Sequence, residues 1–235
     1  MKNVYLALDF PTGETAKKFI QTNDFHGVPL KIGMELFYHE GPAIVEHFKS
    51  NGHQIFLDLK LHDIPNTVKR AMKNLAGLEI DIVNVHATGG QAMIASAKEG
   101  LLSGAKGSHQ PALIAVTVLT SFAEKVLQKQ LKIDDSLQNY ATHLAKLSKQ
   151  SGADGVVCSV HESRMIKRIC GPNFLTVTPG IRLQESTADD QQRIATPAFA
   201  KQHESSMIVV GRTVTQANDP RLAYEQVIKE WTLNE

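Results

Sequence analysis

Long apolar runs, clustered charge and paired cysteines are all scarce in this sequence, and each scarcity removes a class of protein. No apolar stretch reaches the ~20 residues that cross a bilayer. The opening, Met1 to Asp9, carries one lysine and an apolar segment too short for a signal peptide that ends in an acid. A cytoplasmic protein with no membrane contact is therefore expected. Net charge is only +1, with Lys and Arg scattered, so the basic footprint of a nucleic-acid or membrane-surface binder is missing. A small molecule is the expected partner. Cys158 and Cys170, the 2 cysteines, fall outside any CxxC or Cys/His spacing and read as small buried hydrophobes in a reducing compartment. No Ser/Gly-rich linker, low-complexity tract or residue-level repeat divides the chain.

What is present is an alternation. The apolar share of 42% and charged share of 21% suit a globular chain with a substantial core. Short aliphatic runs recur at Val4 to Leu8, Pro29 to Ile32, Gln54 to Leu57, Ile80 to Val85, Ala112 to Val118, Gly155 to Cys158, Phe174 to Val177 and Met207 to Val210. Most are continuous rather than alternating, the pattern of parallel strands covered on both faces. Between them lie segments of helical spacing: Thr12 to Thr22, Leu36 to Ser50, Asn66 to Leu75, Gln91 to Leu102, Ser136 to Ser151, Glu162 to Ile169, Thr187 to Gln202 and Pro220 to Trp231. Eight βα units in ~235 residues predict one α/β domain over residues 1–235, a closed (β/α)8 TIM barrel. An open dinucleotide-binding sheet is disfavoured, since Asp9-Phe10-Pro11-Thr12-Gly13 stands where its Gly-x-Gly-x-x-Gly turn would be.

Barrels of this kind build their sites at the C-terminal ends of the strands. Those ends carry Asp9, Lys31, Asp58 with Lys60, His86, Thr117 with Thr120 and Ser121, Ser159, Arg182, and Gly211 with Arg212. His86 and Ser159 read as packing residues. The segment Asp58-Leu59-Lys60-Leu61-His62-Asp63 sets a lysine between acids where the third strand should end, and in an extended strand Asp58 and Lys60 share a face. A solvated surface cluster is one reading; a site is the other, because closure brings strands one to three side by side. Acidic neighbours favour an ammonium over the neutral amine that imine chemistry needs, so the lysine suits proton donation to carbon. A carboxylate substrate placed beside Asp58 would be repelled until CO2 departs. Metal ligation by Asp58, His62 and Asp63 is the competing reading, with Lys60 set against it, so no metal is expected.

At the eighth strand, Gly211 would let backbone N–H groups approach an anion that Arg212 grips, or the two form a plain turn with a surface arginine. The polar stretch Leu183 to Arg193 is either a cover for a phosphate or a passive connector.

Taken together, Ala7-Leu8-Asp9-Phe10, Lys31 to Phe37, Asp58 to Val68, Val83 to Ala87, Gly152 to Ser159, Thr178 to Arg182 and Val210 to Arg212 make the chain resemble the orotidine 5′-phosphate decarboxylase family over nearly its whole length. That resemblance implies cofactor-free and metal-free decarboxylation of orotidine 5′-phosphate to UMP in pyrimidine synthesis. It implies Lys60 as proton donor to C6, Asp58 beside the departing carboxylate, Lys31 holding Asp58 and a ribose hydroxyl, and Asp9 on the ribose. Thr120 would read the pyrimidine edge, Gln191 would span base and phosphate, and Arg182, Gly211 and Arg212 would hold the phosphate. Asp63 and Thr67 would enter the neighbouring subunit's site, which implies a homodimer with shared sites. Thr213 departs from the pattern, standing where many relatives have proline, and is expected to loosen the phosphate turn. Two rival readings remain. One is a Mg2+-dependent sugar-phosphate decarboxylase or synthase of the same barrel, which His62 to Thr67, Thr120 and Gln191 oppose. The other is a non-catalytic UMP-binding barrel, opposed by the costly Asp58, Lys60 and Asp63 cluster.

Overall fold

The computed structural model describes residues 3–107, 109–183 and 193–232. Eight parallel strands close into a barrel in sequence order. The chain runs β1 (Val4–Ala7), α1 (Gly13–Thr22), β2 (Leu30–Gly33), α2 (Met34–Glu40), α3 (Pro42–Ser50), β3 (Ile55–Leu61), α4 (Pro65–Ala76), β4 (Ile82–His86) and α5 (Gly90–Gly104). It continues through β5 (Ala112–Val116), α6 (Leu137–Gln150), β6 (Gly155–Val157), α7 (Val160–Cys170), β7 (Leu175–Thr178), α8 (Pro197–Gln202), β8 (Met207–Val210), α9 (Arg212–Thr215) and α10 (Pro220–Thr232). β1 closes the ring by pairing with β8, Val4 opposite Ile208 and Leu6 opposite Val210.

Period-two alternation explains why the strands read as nearly continuous apolar runs. Outward residues such as Leu6, Leu30, Ile32, Leu57 and Val83 pack under the helices. Inward residues Tyr5, Ala7, Phe56, Ile82, Ile114, Val177 and Val209 fill the barrel with a second apolar cluster. One step farther along the same inward face, side chains turn polar: Asp9 follows Ala7, Asp58 follows Phe56 and Asn84 follows Ile82. The interior is thus an apolar plug carrying a polar ring at its C-terminal rim.

The structure departs from the sequence expectation in three places. Leu36 to Ser50 is two helices, because Gly41 takes φ +67° and Pro42 starts α3; proline lacks the N–H and excludes helical geometry from the residue before it. β3 does not stop before Asp58 but runs to Leu61. The segment after β5 holds a π-type turn over Val126–Gln130 that no periodicity announced. Of the expected helix Thr187 to Gln202, α8 supplies the last part, and residues 187–192 lie outside the described residues. Among the described residues no helix is long and apolar enough to cross a membrane.

α4 and α5 approach so closely that a Cβ on Gly100 would stand 2.2 Å from the Lys69 carbonyl oxygen, and one on Gly104 2.1 Å from that of Lys73. Backbone oxygens cannot swing aside. Gly100→Ala is therefore expected to cost about 1–3 kcal/mol of overpacking against ~1 kcal/mol of gained helix propensity, a net loss. Thermal unfolding checks this: the midpoint should drop by a few degrees, and an unchanged or raised midpoint would contradict the packing argument.

Candidate active site

At the C-terminal end of the barrel lies a cavity of about 280 Å³, near the lower bound for small-molecule sites. Asp9, Lys31, Asp58 and Lys60 line one side of it. Phe56, Val116, Val118, Val157 and Val209 supply an apolar floor and wall, Thr120 and Ser121 add hydroxyls, and Arg182, Gly211 and Arg212 form the remaining end. These candidates, far apart in sequence, surround one space.

Asp58 organises the charged side. Its Oδ2 lies 3.3 Å from Lys31 Nζ and its Oδ1 2.7 Å from Lys60 Nζ. Asn84 Nδ2 donates to the same Oδ1 at 2.6 Å. Lys31 in turn donates to Asp9 Oδ1 at 2.9 Å. Burial by itself would raise the Asp58 carboxyl pKa, but the ammonium groups of Lys31 and Lys60 and the hydrogen bonds from Lys60 and Asn84 outweigh it and hold it below the ordinary carboxylate value. Burial would likewise lower Lys31, and the carboxylates of Asp58 and Asp9 overcome that and raise it. The result is a chain of alternating, charge-assisted contacts.

Simple alternation does not account for how Lys60 reaches Asp58. Lys60 has φ +51°, and among the described residues it is the one non-glycine with positive φ inside a strand. The β3–β4 register slips there: Leu57 faces Val83, yet Leu61 faces Val85. Four steps along β3 cover two along β4, the signature of a bulge. Asn84 secures it, for its Oδ1 accepts the Lys60 backbone N–H at 2.7 Å. Backbone of this kind in a lysine is costly and clusters at functional sites. Asn84, fully buried, was not singled out from the sequence; the available signal was a lone amide inside the apolar run Ile82-Val83-Asn84-Val85.

Other candidates divide clearly. Thr120 and Arg182 are buried at the cavity, and Arg182 Nη1 donates to the Ile181 carbonyl at 3.0 Å. Thr213 does not simply loosen the turn after β8: its hydroxyl donates to the same Ile181 carbonyl at 3.0 Å, tying that turn to the end of β7. Asp63 and Thr67 are exposed and do not line this chain's own cavity; Asp63 Oδ1 accepts the Ile64 N–H at 2.6 Å. His86 has its ring 5.5 Å from that of His62, and burial, then His62 and Lys60, lower its pKa. Ser159 caps α7 with Glu162. Gln191 lies outside the described residues. Among the described residues no three His, Cys, Asp or Glu side chains gather as metal ligands.

Chemically, the cavity offers two arginines for an anion at one end and, at the other, an ammonium fixed beside a carboxylate that must stay ionised. A ligand acid placed next to Asp58 would sit against like charge, with Lys60 within reach of whatever replaces it.

The comparisons with known proteins are consistent with that layout. Residues 2–227 match the model of the family described as orotidine 5′-phosphate decarboxylase / HUMPS. A relative from Bacillus pumilus (strain SAFR-032), named orotidine 5′-phosphate decarboxylase, is 54% identical over 229 residues, covering 96% of this chain and 97% of its own. One of the same name from Bacillus cytotoxicus is 50% identical over 231 residues, covering 98% and 97%. A crystal structure of orotidine 5′-phosphate decarboxylase from Lactobacillus acidophilus aligns at TM-score 0.88 and 44% identity over 99% of this chain and 100% of that one. That of an uncharacterized conserved protein from Geobacillus kaustophilus aligns at 0.86 and 46%, over 97% and 100%.

The charge chain has a defined pH window. Asp58, with its folded pKa lowered, contributes stability above its unfolded value of ~3.9 and loses it as pH falls through the lower folded value. Lys31, with its folded pKa raised, contributes below ~10.5 and loses that contribution as pH climbs through the higher folded value. The melting-temperature gap between wild type and Asp58→Asn should therefore be widest at neutral pH and narrow at both extremes. A gap that stays constant down to about pH 2 would contradict an ionised Asp58 in the folded state.

Proposed function

Because the chain belongs to the orotidine 5′-phosphate decarboxylase / HUMPS family, we propose that it decarboxylates orotidine 5′-phosphate to UMP and CO2, with Lys60 as proton donor to C6 and no cofactor. The observation that carries this reading is the Asp58 carboxylate, largely withdrawn from solvent and met by Lys31, Lys60 and Asn84 on the charged side of the cavity.

Arg182, Gly211 and Arg212 hold the 5′-phosphate, and Asp9 with Lys31 meets the ribose hydroxyls. Thr120 reads the pyrimidine edge, with Gln191 spanning base and phosphate. This binding sets the substrate carboxylate beside Asp58. The C6–carboxylate bond breaks, CO2 leaves, and the electron pair stays on C6. Lys60 then gives its proton to C6 and becomes the neutral amine, to be reprotonated from solvent. Repulsion between Asp58 and the substrate carboxylate disappears as CO2 forms while the attraction of Lys60 for C6 grows, so the site favours the transition state over the bound substrate. Asp63 and Thr67, exposed and outside the lining of their own cavity, complete the site of a second subunit in a homodimer. Residues 1–235 act as one catalytic unit, in the cytoplasm.

Loss of substrate absorbance measures the reaction. Wild type should turn over unchanged in excess chelator, and Lys60→Ala should lose about 10²–10⁴-fold or more. Turnover that survives Lys60→Ala removes the proton donor; turnover abolished by chelator and restored by Mg2+ selects the metal-dependent relative instead.

The shared site has its own test. In an equal mixture of Lys60→Ala and Asp63→Ala subunits, exchange into two-fold dimers regenerates intact sites in about a quarter of positions. Activity should climb well above either variant alone, and activity that stays at their level rules out the cross-subunit role of Asp63.

A further inference from the structure

Beside the cavity, yet outside its lining, lies a buried ion pair that the proposed reaction does not use. Glu162 opens α7, where its Oε2 accepts the Ser159 backbone N–H at 2.9 Å and its Oε1 accepts Arg193 Nη1. Their side chains are only 3% and 15% exposed. The other arm of the guanidinium crosses to a different segment: Arg193 Nη2 donates to the carbonyls of Leu119 at 3.2 Å and Val118 at 3.5 Å. Those carbonyls directly precede Thr120, and Val118, Leu119, Thr120 and Ser121 all line the cavity.

This wall lies beyond the sheet. β5 ends at Val116, and the last strand-like anchor is Thr117, whose hydroxyl donates to the Val157 carbonyl at 3.0 Å. After it the Leu119 carbonyl accepts the Phe122 N–H at 3.0 Å to close a turn. Among the described residues the strand pairing of β5 stops at Val116, before that turn. A buried ion pair is a poor device for stability alone, since apolar residues of similar size do as well or better. A guanidinium is, however, the side chain whose planar fork can grip a carboxylate with one edge and carbonyl oxygens with another.

We propose that Arg193, held by Glu162, is a positioning residue that fixes the Val118–Ser121 wall so that the Thr120 hydroxyl meets the edge of the pyrimidine. The inference rests on the reading of Thr120 as the base-recognition residue given above. It assigns Arg193 to discrimination of the base and not to the phosphate end, although Arg193 follows the polar stretch after β7 in sequence.

Direct calorimetric binding of UMP and of ribose 5-phosphate separates these roles, because the second ligand has phosphate and sugar but no base. Arg193→Lys keeps a cation for Glu162, so no buried charge is stranded, and removes the fork that reaches Val118 and Leu119. It should weaken UMP binding by about tenfold, the worth of roughly one well-placed hydrogen bond, and leave ribose 5-phosphate within about twofold. Glu162→Gln combined with Arg193→Met removes the pair without leaving either charge buried, and should give the same selective loss. Thr120→Ala should weaken UMP in the wild-type background and add less than about twofold in Arg193→Lys, as coupled neighbours do. UMP binding unchanged in both pair variants, or ribose 5-phosphate weakened as much as UMP, overturns the positioning role while leaving the proposed reaction intact. Wild type that fails to bind UMP overturns the proposed reaction, and this inference with it.

Discussion

The buried carboxylate of Asp58 is the constraint around which the rest of the site is arranged. An ionised acid with its side chain only 13% exposed is costly unless donors meet both its oxygens. Here Lys31, Lys60 and Asn84 provide them, from β2, β3 and β4 respectively. Three adjacent strands must therefore be in register before the charge is tolerable. Removing Lys31 would leave Oδ2 without its donor, whereas Oδ1 keeps one of Lys60 and Asn84 if the other is lost; the penalty for an unpaired charged oxygen exceeds what the pair contributes when intact.

The same arrangement explains why the chain accepts an awkward backbone. Lys60 at φ +51° and the slipped β3–β4 register would be defects in a strand that served only to hold the barrel. In this position they bring the ammonium back to Asp58 at 2.7 Å. Asn84 is the economical part of the design, since one amide bonds both the carboxylate and the Lys60 N–H and so couples the electrostatics to the bulge. Preorganised charge of this kind needs no rearrangement as the reaction proceeds.

Around that fixed lattice the cavity wall is assembled from less regular pieces. The arginine end joins the segment after β7 to the turn after β8 through the shared Ile181 carbonyl, which accepts from both Arg182 and Thr213. The wall carrying Thr120 leaves the sheet altogether and leans on Arg193 and Glu162. The charged lattice thus sits on strands, while the two ends of the cavity are built from loops tied down by hydrogen-bonding hubs. That division matches the general placement of binding residues on loops held by a rigid scaffold.

The sequence by itself determined the barrel and the sign of its chemistry. Continuous aliphatic runs at a βα spacing leave few alternatives to a two-face-covered parallel sheet, and an acid-lysine-acid segment at a strand end carries its electrostatics with it wherever the chain goes. Gly41-Pro42 is a local signal for the break between α2 and α3, hidden by an apolar periodicity that continues across it. Tertiary structure decided the rest. That Asn84 bridges Asp58 and Lys60, that Lys60 adopts a left-handed backbone, that Thr213 fastens Ile181 and that Arg193 reaches Leu119 all depend on contacts between segments 24 to 74 residues apart. Local propensity encodes what a residue prefers next to its neighbours in sequence. Which distant carbonyl or carboxylate it meets is set by strand register and barrel closure, and these exist only once the chain has folded.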